Sequence, residues 1–117
     1  MHTDNKVVGK IGEDLAANLL KEKGYQIVDR NWGNKWGEID IIARLKGVTV
    51  FVEVKTKVGE NFGPPEEMVN PRKLRQIQRM ASLYNKVGSN QKRIDIVVVV
   101  LNEDLSVNRI NHYECVY

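Results

Sequence analysis

Two carboxylates and a lysine stand inside apolar segments of this chain, in an arrangement that suits the hydrolysis of a phosphodiester. Asp40 lies among isoleucines in residues 38–43, and Glu53 and Lys55 close the apolar run of residues 48–55. Both segments have the composition of strands, so Glu53 and Lys55 face the same side of a sheet. Unpaired charges are costly to bury, so these three groups need one another or a metal ion.

A divalent cation would give this group a chemical role. Mg²⁺ binds one or two carboxylates and keeps several waters, and Asp40 and Glu53 supply two carboxylates from adjacent strands. The backbone carbonyl of Val54 would add a third oxygen, and Lys55 would hold the attacking water or offset developing charge. The alternative is a buried ion pair of Lys55 with either Glu53 or Asp40 that has no catalytic role.

Two further glutamates are candidates for the same site. Glu13 lies in a predicted helix, on a stripe that carries small residues such as Gly9 and Ala16. Small neighbours let a helix approach a sheet closely, so Glu13 could reach the metal through a water, although an exposed helical glutamate is the commoner case. Glu38 precedes Asp40 by two residues and shares its face if the strand is regular. It would then be an accessory ligand or the partner of a basic side chain.

A basic block follows in residues 71–93, which contain seven Lys or Arg side chains and no Asp or Glu, although the net charge of the whole chain is only +3. Such a block is typical of a surface that binds a polyanion, with a solvated helix face as the alternative. We expect nucleic-acid phosphates to contact the basic side chains of the helix in this block and one lysine before it. These residues are Lys57, Arg72, Lys73, Arg75, Arg79 and Lys86.

Three residues outside this set also call for an interpretation. Trp32 and Trp36 lie in a predicted loop, where tryptophans either stack on unpaired bases or cover the edge of a core, and we expect packing for at least one of them. Asp95 interrupts the apolar segment of residues 94–101. A structural bond to a loop amide or to an arginine is expected for Asp95.

The hydrophobic pattern predicts the element order α-β-β-β-α-β-β. Helices are expected over residues 5–23 and 71–86, the second opened by a cap and a proline at Asn70-Pro71. The predicted strands are residues 25–30, 38–43, 48–55, 94–101 and 107–116, with a turn at Lys46-Gly47 and a turn-rich loop over residues 58–70. The first three strands would form an antiparallel meander, and the second helix would cross over to place residues 94–101 inside the sheet. The predicted fold class is α/β, a mixed β-sheet with helices packed against it.

The composition is that of an ordinary globular protein, and we expect one domain over residues 1–117. No run approaches the roughly 18 consecutive apolar residues of a membrane-spanning helix, and the first residues have no apolar run of signal-peptide length. Cys115 is the only cysteine, and His2 and His112 are far apart, so neither a disulfide framework nor a zinc-ligand spacing is present. We therefore expect a cytoplasmic protein without a membrane partner.

At Glu13, Asp40 and Glu53-Val54-Lys55 the chain resembles the PD-(D/E)xK nuclease superfamily. The signature of that superfamily is a helix glutamate, a strand aspartate and a Glu-x-Lys on the next strand. More closely, the chain resembles the YraN-like family of small bacterial proteins predicted to be endonucleases. The matching stretches span nearly the whole chain: Gly12-Glu13, Arg30-Asn31, residues 37–43 and 51–55, Phe62-Gly63, Lys73 and Asp95.

The resemblance implies a restriction-endonuclease-like core with Asp40 and Glu53 as metal ligands, Lys55 as catalytic base or stabiliser, and Glu13 as a supporting acid. The same skeleton is similar to that of archaeal Holliday junction resolvases, which work as dimers with Mg²⁺. The implied cofactor is therefore Mg²⁺ or Mn²⁺, the implied partner is DNA, and a homodimer is a further expectation. One departure is Lys57, where arginine is expected in many relatives. Lysine keeps the positive charge but cannot make the bidentate contact that arginine makes with a phosphate.

The leading expectation is a metal-dependent DNA endonuclease that acts on branched or damaged DNA. A non-catalytic nucleic-acid-binding module on a nuclease fold is the alternative, and a domain whose basic helix docks on an acidic protein is a third hypothesis. Metal uptake separates the first two, and salt-dependent DNA binding would argue against the third. RNA as the substrate stays open, since no residue obviously reads a sugar hydroxyl.

Overall fold

The computed structural model describes residues 4–59, 66, 70–84, 91–114 and 116, which form one five-stranded sheet and two helices. The elements in chain order are α1 (Asn5–Glu22), β1 (Gln26–Asn34), β2 (Gly37–Leu45), β3 (Val48–Val58), α2 (Pro71–Leu83), β4 (Lys92–Leu101) and β5 (Val107–Tyr113). The predicted α-β-β-β-α-β-β order and the mixed α/β fold are confirmed. Neither described helix is long and apolar enough to cross a membrane.

The strands lie in sequence order across the sheet, β1-β2-β3-β4-β5. β1, β2 and β3 pair antiparallel, so the predicted meander is confirmed. β3 and β4 run parallel, which requires the chain to cross the sheet between them, and α2 lies in that connection. β5 then returns antiparallel at the edge, so the apolar strand β4 lies inside the sheet as its sequence predicts.

Each face of the sheet is covered by one helix because the strands alternate apolar side chains between the two faces. Val50 and Val52 of β3 belong to the core cluster under α1, together with Leu20 of that helix. Phe51, between them, belongs to the cluster under α2, together with Ile77. The sheet is therefore the middle of three layers, and a side chain on β3 faces one helix or the other according to its parity.

The first hairpin is longer than the sequence predicts. β1 continues through Trp32 to Asn34, in register with Ile39 and Gly37 of β2, which leaves two residues for the turn. The predicted loop around the two tryptophans is therefore wrong for Trp32, Gly33 and Asn34, and only residues 35 and 36 form a turn. Gly33 and Asn34 have turn composition, but pairing with β2 holds them in the edge strand. β2 and β3 likewise extend two and three residues beyond the predicted strands, to Leu45 and Val58.

The second hairpin has the expected two-residue turn. Lys46 and Gly47 both have positive φ, 48° and 82°, between the paired residues Leu45 and Val48. These angles are those of a type I′ turn, whose twist matches the twist of the flanking strands.

Two other elements end earlier than predicted. α2 ends at Leu83 with Tyr84 as its C-cap, and β5 ends at Tyr113, shorter than the predicted 71–86 and 107–116. The candidate Lys86, Cys115 and most of the predicted loop over residues 58–70 lie outside the described residues.

An aromatic cluster joins β1 to α2. Trp32 and Phe51 meet Tyr84 edge to face, with ring centroids 5.2 and 5.6 Å apart. The Tyr84 hydroxyl donates to Asp29 Oδ2 at 2.9 Å, and burial raises the pKa of Tyr84 to about 12. Trp32 therefore packs on the core edge, which confirms the expectation of packing for at least one of the two tryptophans.

Asp95 has the structural role expected for it. Its carboxylate is fully buried and accepts from Arg93 Nε at 2.8 Å, and His112 Nε2 lies 2.8 Å from its second oxygen. The guanidinium of Arg93 also donates to the Tyr25 hydroxyl. This network ties β4 to β5 and to Tyr25, between α1 and β1, and none of the described residues that we name in it is a candidate site residue.

α1 approaches β3 most closely at Gly12. A Cβ atom on Gly12 would lie 1.8 Å from Thr56 Oγ1 and 2.7 Å from Thr56 Cβ, so no larger residue fits without movement of the helix. Ala16 and Ala17, one turn further along, are buried as expected for the small-residue stripe. Gly9, by contrast, is exposed with open space around it, so the contact lies one turn later than Gly9 suggests.

Replacement of Gly12 should therefore destabilise the protein. We expect Gly12→Ala to lower the free energy of unfolding by roughly 2–3 kcal/mol, because the new methyl group overlaps Thr56. The matched control is Gly9→Ala on the same helix, which should raise it by roughly 0.5–1 kcal/mol through helix propensity alone. Urea unfolding followed by circular dichroism measures both. Equal effects of the two substitutions would contradict the close approach.

Candidate functional site

The candidate site forms where β2 and β3 part. The ladder between these strands ends at Ile41 and Val52, one residue short of Asp40 and Glu53. Beyond that point the Asp40 side chain replaces the ladder, since its Oδ2 accepts a hydrogen bond from the Val54 backbone N–H at 2.8 Å. Asp40 is thereby fixed beside β3, close to the carboxyl of Glu53 and half-buried.

Glu53 carries an unsatisfied oxygen. The residue is only 6% exposed, on the face of β3 that α2 covers, and its Oε2 accepts no hydrogen bond from any described residue. Lys73 of α2 brings its Nζ to 3.5 Å from this oxygen, within ion-pair range but beyond a good N–H···O distance. A buried carboxylate held this loosely keeps an oxygen for a further ligand.

The surroundings of Asp40 disfavour its charged form. Burial raises the pKa of Asp40 to about 7, and the neighbouring charge of Glu53 adds to the rise, while the hydrogen bond from Val54 opposes it. Glu13 contributes a smaller effect in the raising direction. Without a cation, Asp40 therefore tends to keep its proton up to near neutral pH. A bound cation would remove the reason for the shift.

Lys55 faces a groove and has no partner among the described residues, with which it forms neither a hydrogen bond nor an ion pair. The expected alternative, a buried pair of Lys55 with Glu53 or Asp40, is therefore wrong, and Lys73 is the lysine nearest Glu53. The groove has a volume of about 480 Å³. Its lining residues are Lys55, Asn70, Arg72, Lys73 and Gln76.

Glu13 lies near the pair but its oxygens are engaged. It accepts from Arg30 Nε at 2.9 Å and from Asn31 Nδ2 at 3.0 Å, and Arg30 also donates to Asp14. Asn31 reaches it from a left-handed conformation with φ of 53°, which asparagine tolerates better than most residues. The sequence match at Arg30-Asn31 marked these two residues without assigning a role, and their role is to position Glu13.

Glu38 does not join the group. It is exposed and pairs with Gly33 in the first hairpin, and among the described residues no hydrogen bond or ion pair reaches it. The expectation that Glu38 shares the face of Asp40 required a regular strand. Ile39 and Ile42 instead both pack in the cluster under α2, so the alternation breaks beside Asp40.

The basic residues of α2 surround this groove and a second one. The side chains of Arg72, Arg75 and Arg79 line a groove of about 250 Å³ together with Gln76 and the exposed Trp36. Lys57 is exposed further along β3, on the parity of Glu53 and Lys55. Lys73, expected only at phosphates, lies in addition against Glu53, a contact that the linear sequence does not reveal.

The metal-ligating chemistry present is that of two carboxylates, not of a closed cage. Within the described residues, no group of three or more His, Cys, Asp and Glu side chains is placed to hold a metal ion. Zinc sites need such a group, whereas Mg²⁺ is held by one or two carboxylates and several waters. Asp40 and Glu53 fit the second pattern. Fold and site together define an α/β protein in which two adjoining carboxylates, one half-buried and one buried, lie beside a groove lined by Lys55 and Lys73.

Comparison with known proteins gives the family. The profile described as "Uncharacterised protein family UPF0102" matches residues 12–99, a range that includes Glu13, Asp40, Glu53 and all of α2. The chain belongs to this family, which confirms the expected membership of the YraN-like family. A UPF0102 protein of Caldanaerobacter subterraneus is 43% identical over 113 residues, 93% of each chain. One of Alkaliphilus oremlandii is 45% identical over 115 residues, which are 94% of this chain and 97% of the relative.

The raised pKa of Asp40 predicts an unusual dependence of stability on pH. Between pH values near the ordinary 3.8 and near 7, the folded protein holds a proton that the unfolded chain has lost. Stability from this group is therefore lost as the pH rises through that window. Asp40→Asn removes the titration, so without metal we expect the variant to gain about 4 kcal/mol over the wild type at pH 8 and little near pH 4.

Urea unfolding in a chelator at the two pH values measures this difference. Glu38→Gln is the matched control, since it removes one negative charge from an exposed residue of the same strand and should change stability little at either pH. A constant difference between Asp40→Asn and wild type across the two pH values would refute the raised pKa.

Proposed function

We propose that this protein is a divalent-cation-dependent DNA endonuclease with a restriction-endonuclease-like core. The observation that carries the proposal is the pair of the half-buried Asp40 and the buried Glu53, with one oxygen of Glu53 unsatisfied, next to Lys73 and Lys55, which line a basic groove. Structural ion pairs have their oxygens satisfied, because an unpaired buried charge is destabilising. A pair that lacks such satisfaction is the arrangement expected of a ligand set.

The residues present fit Mg²⁺ or Mn²⁺. Asp40 and Glu53 would hold the cation, with the Val54 carbonyl as the third protein oxygen, and waters would complete the coordination. A bound ion of this kind supplies charge neutralisation at a phosphate and lowers the pKa of a water. Glu13, fixed by Arg30 and Asn31, adds negative charge beside the pair without being a direct ligand.

The remaining groups act on the DNA strand. Lys55, which has no partner among the described residues, would hold the attacking water or stabilise charge on the phosphate. The α2 side chains Arg72, Arg75 and Arg79 would contact neighbouring phosphates, and so would Lys57, without reading sequence. Lys73 would contact the strand as well as neutralise Glu53.

The second candidate function is a non-catalytic nucleic-acid-binding module. The ion pair between Lys73 and Glu53 favours it, because a lysine in that position partly replaces a cation. The distance of 3.5 Å and the 32% exposure of the Lys73 side chain make that replacement weak. Binding of a divalent cation is therefore the property on which the two functions differ.

Cation binding should appear as a thermal shift. We expect Mg²⁺ or Mn²⁺ at a hundredfold excess over its dissociation constant to stabilise the wild type by about 2.7 kcal/mol. Asp40→Asn and Glu53→Gln should lose most of this shift, whereas Lys55→Ala should keep it because Lys55 is not a ligand. Differential scanning fluorimetry over a cation titration is the measurement. An equal shift in all four proteins would place the cation elsewhere.

Nuclease activity is tested with labelled single-stranded, duplex, flap and four-way-junction DNA and with RNA, in Mg²⁺ or Mn²⁺. Asp40→Asn, Glu53→Gln and Lys55→Ala should each reduce cutting by about 100-fold or more. Lys21→Ala, an exposed lysine of α1 on the other side of the sheet, is the control and should cut like the wild type. Cutting that persists in the three site variants would indicate a contaminant, and binding without any cutting would favour the non-catalytic module.

A further inference from the structure

Trp36 is held in place without being buried. It lies in the two-residue turn between β1 and β2, and its side chain is 44% exposed. Its backbone N–H donates to Asn34 Oδ1 at 2.8 Å, and its carbonyl accepts from Gln76 Nε2 of α2 at 2.6 Å. The tip of the hairpin is thus fixed to α2 at a point where the core does not need an aromatic ring.

The residue after Trp36 leaves space for the hydrogen bond from Gln76. Gly37, directly after it, has φ of 145°, and a Cβ atom there would lie 2.4 Å from Gln76 Nε2. Only glycine leaves room for the amide that holds the Trp36 carbonyl. The ring is therefore placed by three local features, the Asn34 cap, the glycine and Gln76, and none of them covers it.

Cations surround the ring. Arg79 Cζ and Lys35 Nζ each lie 5.1 Å from the centre of the Trp36 ring, and Arg72 and Arg75 line the same groove. α2 carries four basic residues and no acidic residue. An exposed aromatic ring between phosphate-binding side chains is the arrangement with which proteins hold single-stranded nucleic acids, the base on the ring and the backbone on the cations.

The existing contacts of Trp36 do not compete strongly with a base. A cation–π contact of an exposed lysine is weaker than the stacking of a nucleobase on tryptophan. A base that displaces the Lys35 ammonium also brings phosphates to which that ammonium can turn. The simple alternative, in which Trp36 only contacts the Arg79 guanidinium and Lys35, leaves the residue 44% exposed.

The groove at Trp36 adjoins the groove at Lys55 and Lys73. Arg72 and Gln76 line both of them, so a strand on the Trp36 ring has a basic path toward Lys55 and toward Lys73, the neighbour of Glu53. We propose that Trp36 stacks on an unpaired nucleobase and that the protein therefore acts on nucleic acid with a single-stranded segment next to the position of cutting. The base-binding part stands independently of catalysis, and the part about cutting rests on the proposed endonuclease function.

Binding is tested in a chelator, where no metal-dependent cutting occurs. Fluorescence anisotropy compares labelled oligothymidylate and oligouridylate of about 15 nucleotides with a duplex of the same length. Trp36→Ala should weaken single-strand binding by about tenfold or more and duplex binding by less than about twofold, and Trp36→Phe should retain most of the affinity. Loss with thymidylate alone or uridylate alone supports the proposal and assigns the strand to DNA or RNA. Lys21→Ala should change neither affinity.

A second measurement reports stacking directly. The chain has two tryptophans, so Trp32→Phe leaves Trp36 as the only indole and retains a ring against Tyr84. Oligothymidylate should quench the fluorescence of this variant and leave that of Trp36→Phe nearly unchanged.

Equal weakening of single-strand and duplex binding in Trp36→Ala, or no quenching of Trp36, would overturn the proposal. If binding depends on Trp36 but no DNA is cut, only the endonuclease proposal is refuted. If the protein cuts DNA that has a single-stranded segment and Trp36→Ala cuts it equally well, only the base-binding site is refuted.

Discussion

The placement of two carboxylates inside a sheet is the constraint on which the rest of this structure depends. The ladder between β2 and β3 ends after Ile41 and Val52, and the Asp40 side chain lies at the point where the strands part. The hydrogen bond from the Val54 N–H to Asp40 replaces the bond that the ladder loses there. The parting therefore leaves no backbone donor unpaired at Val54, and it brings Asp40 beside Glu53.

The elements around the pair are arranged to tolerate its charge. α2 begins at Pro71 with Asn70 as its N-cap, and its first turn brings Lys73 toward Glu53 while the arginines of the same helix line the groove at Trp36. On the other face, Gly12 lets α1 lie against Thr56 of β3, and Glu13 follows directly. Arg30 and Asn31 of the edge strand hold Glu13 and limit the repulsion it adds. Both helices are thus tied to the site as well as to the core.

The features that depend on local pattern were predictable from the sequence, and those that depend on pairing between elements were not. Alternation and helical periodicity gave the element types, the meander and the buried position of β4, and the Glu-x-Lys spacing placed Glu53 and Lys55 on one face. The turn composition of Gly33 and Asn34 was overridden by pairing with β2. The same holds for Glu38, whose face depends on a break in alternation, and for Lys73, whose contact with Glu53 joins residues 20 positions apart.

The carboxyl pair of the candidate site destabilises the fold locally. Two nearby buried carboxyls, one with an unsatisfied oxygen, are less stable than an apolar pair of the same size would be. An ion pair with Lys55 would neutralise Glu53, because Lys55 is on the same strand and face. Lys55 nevertheless makes no ion pair with a described residue. A site whose purpose was stability would close these contacts. Carboxylates left under-neutralised, beside a lysine and arginines that face a groove, have instead the charge distribution of a site completed by a cation and a phosphate backbone.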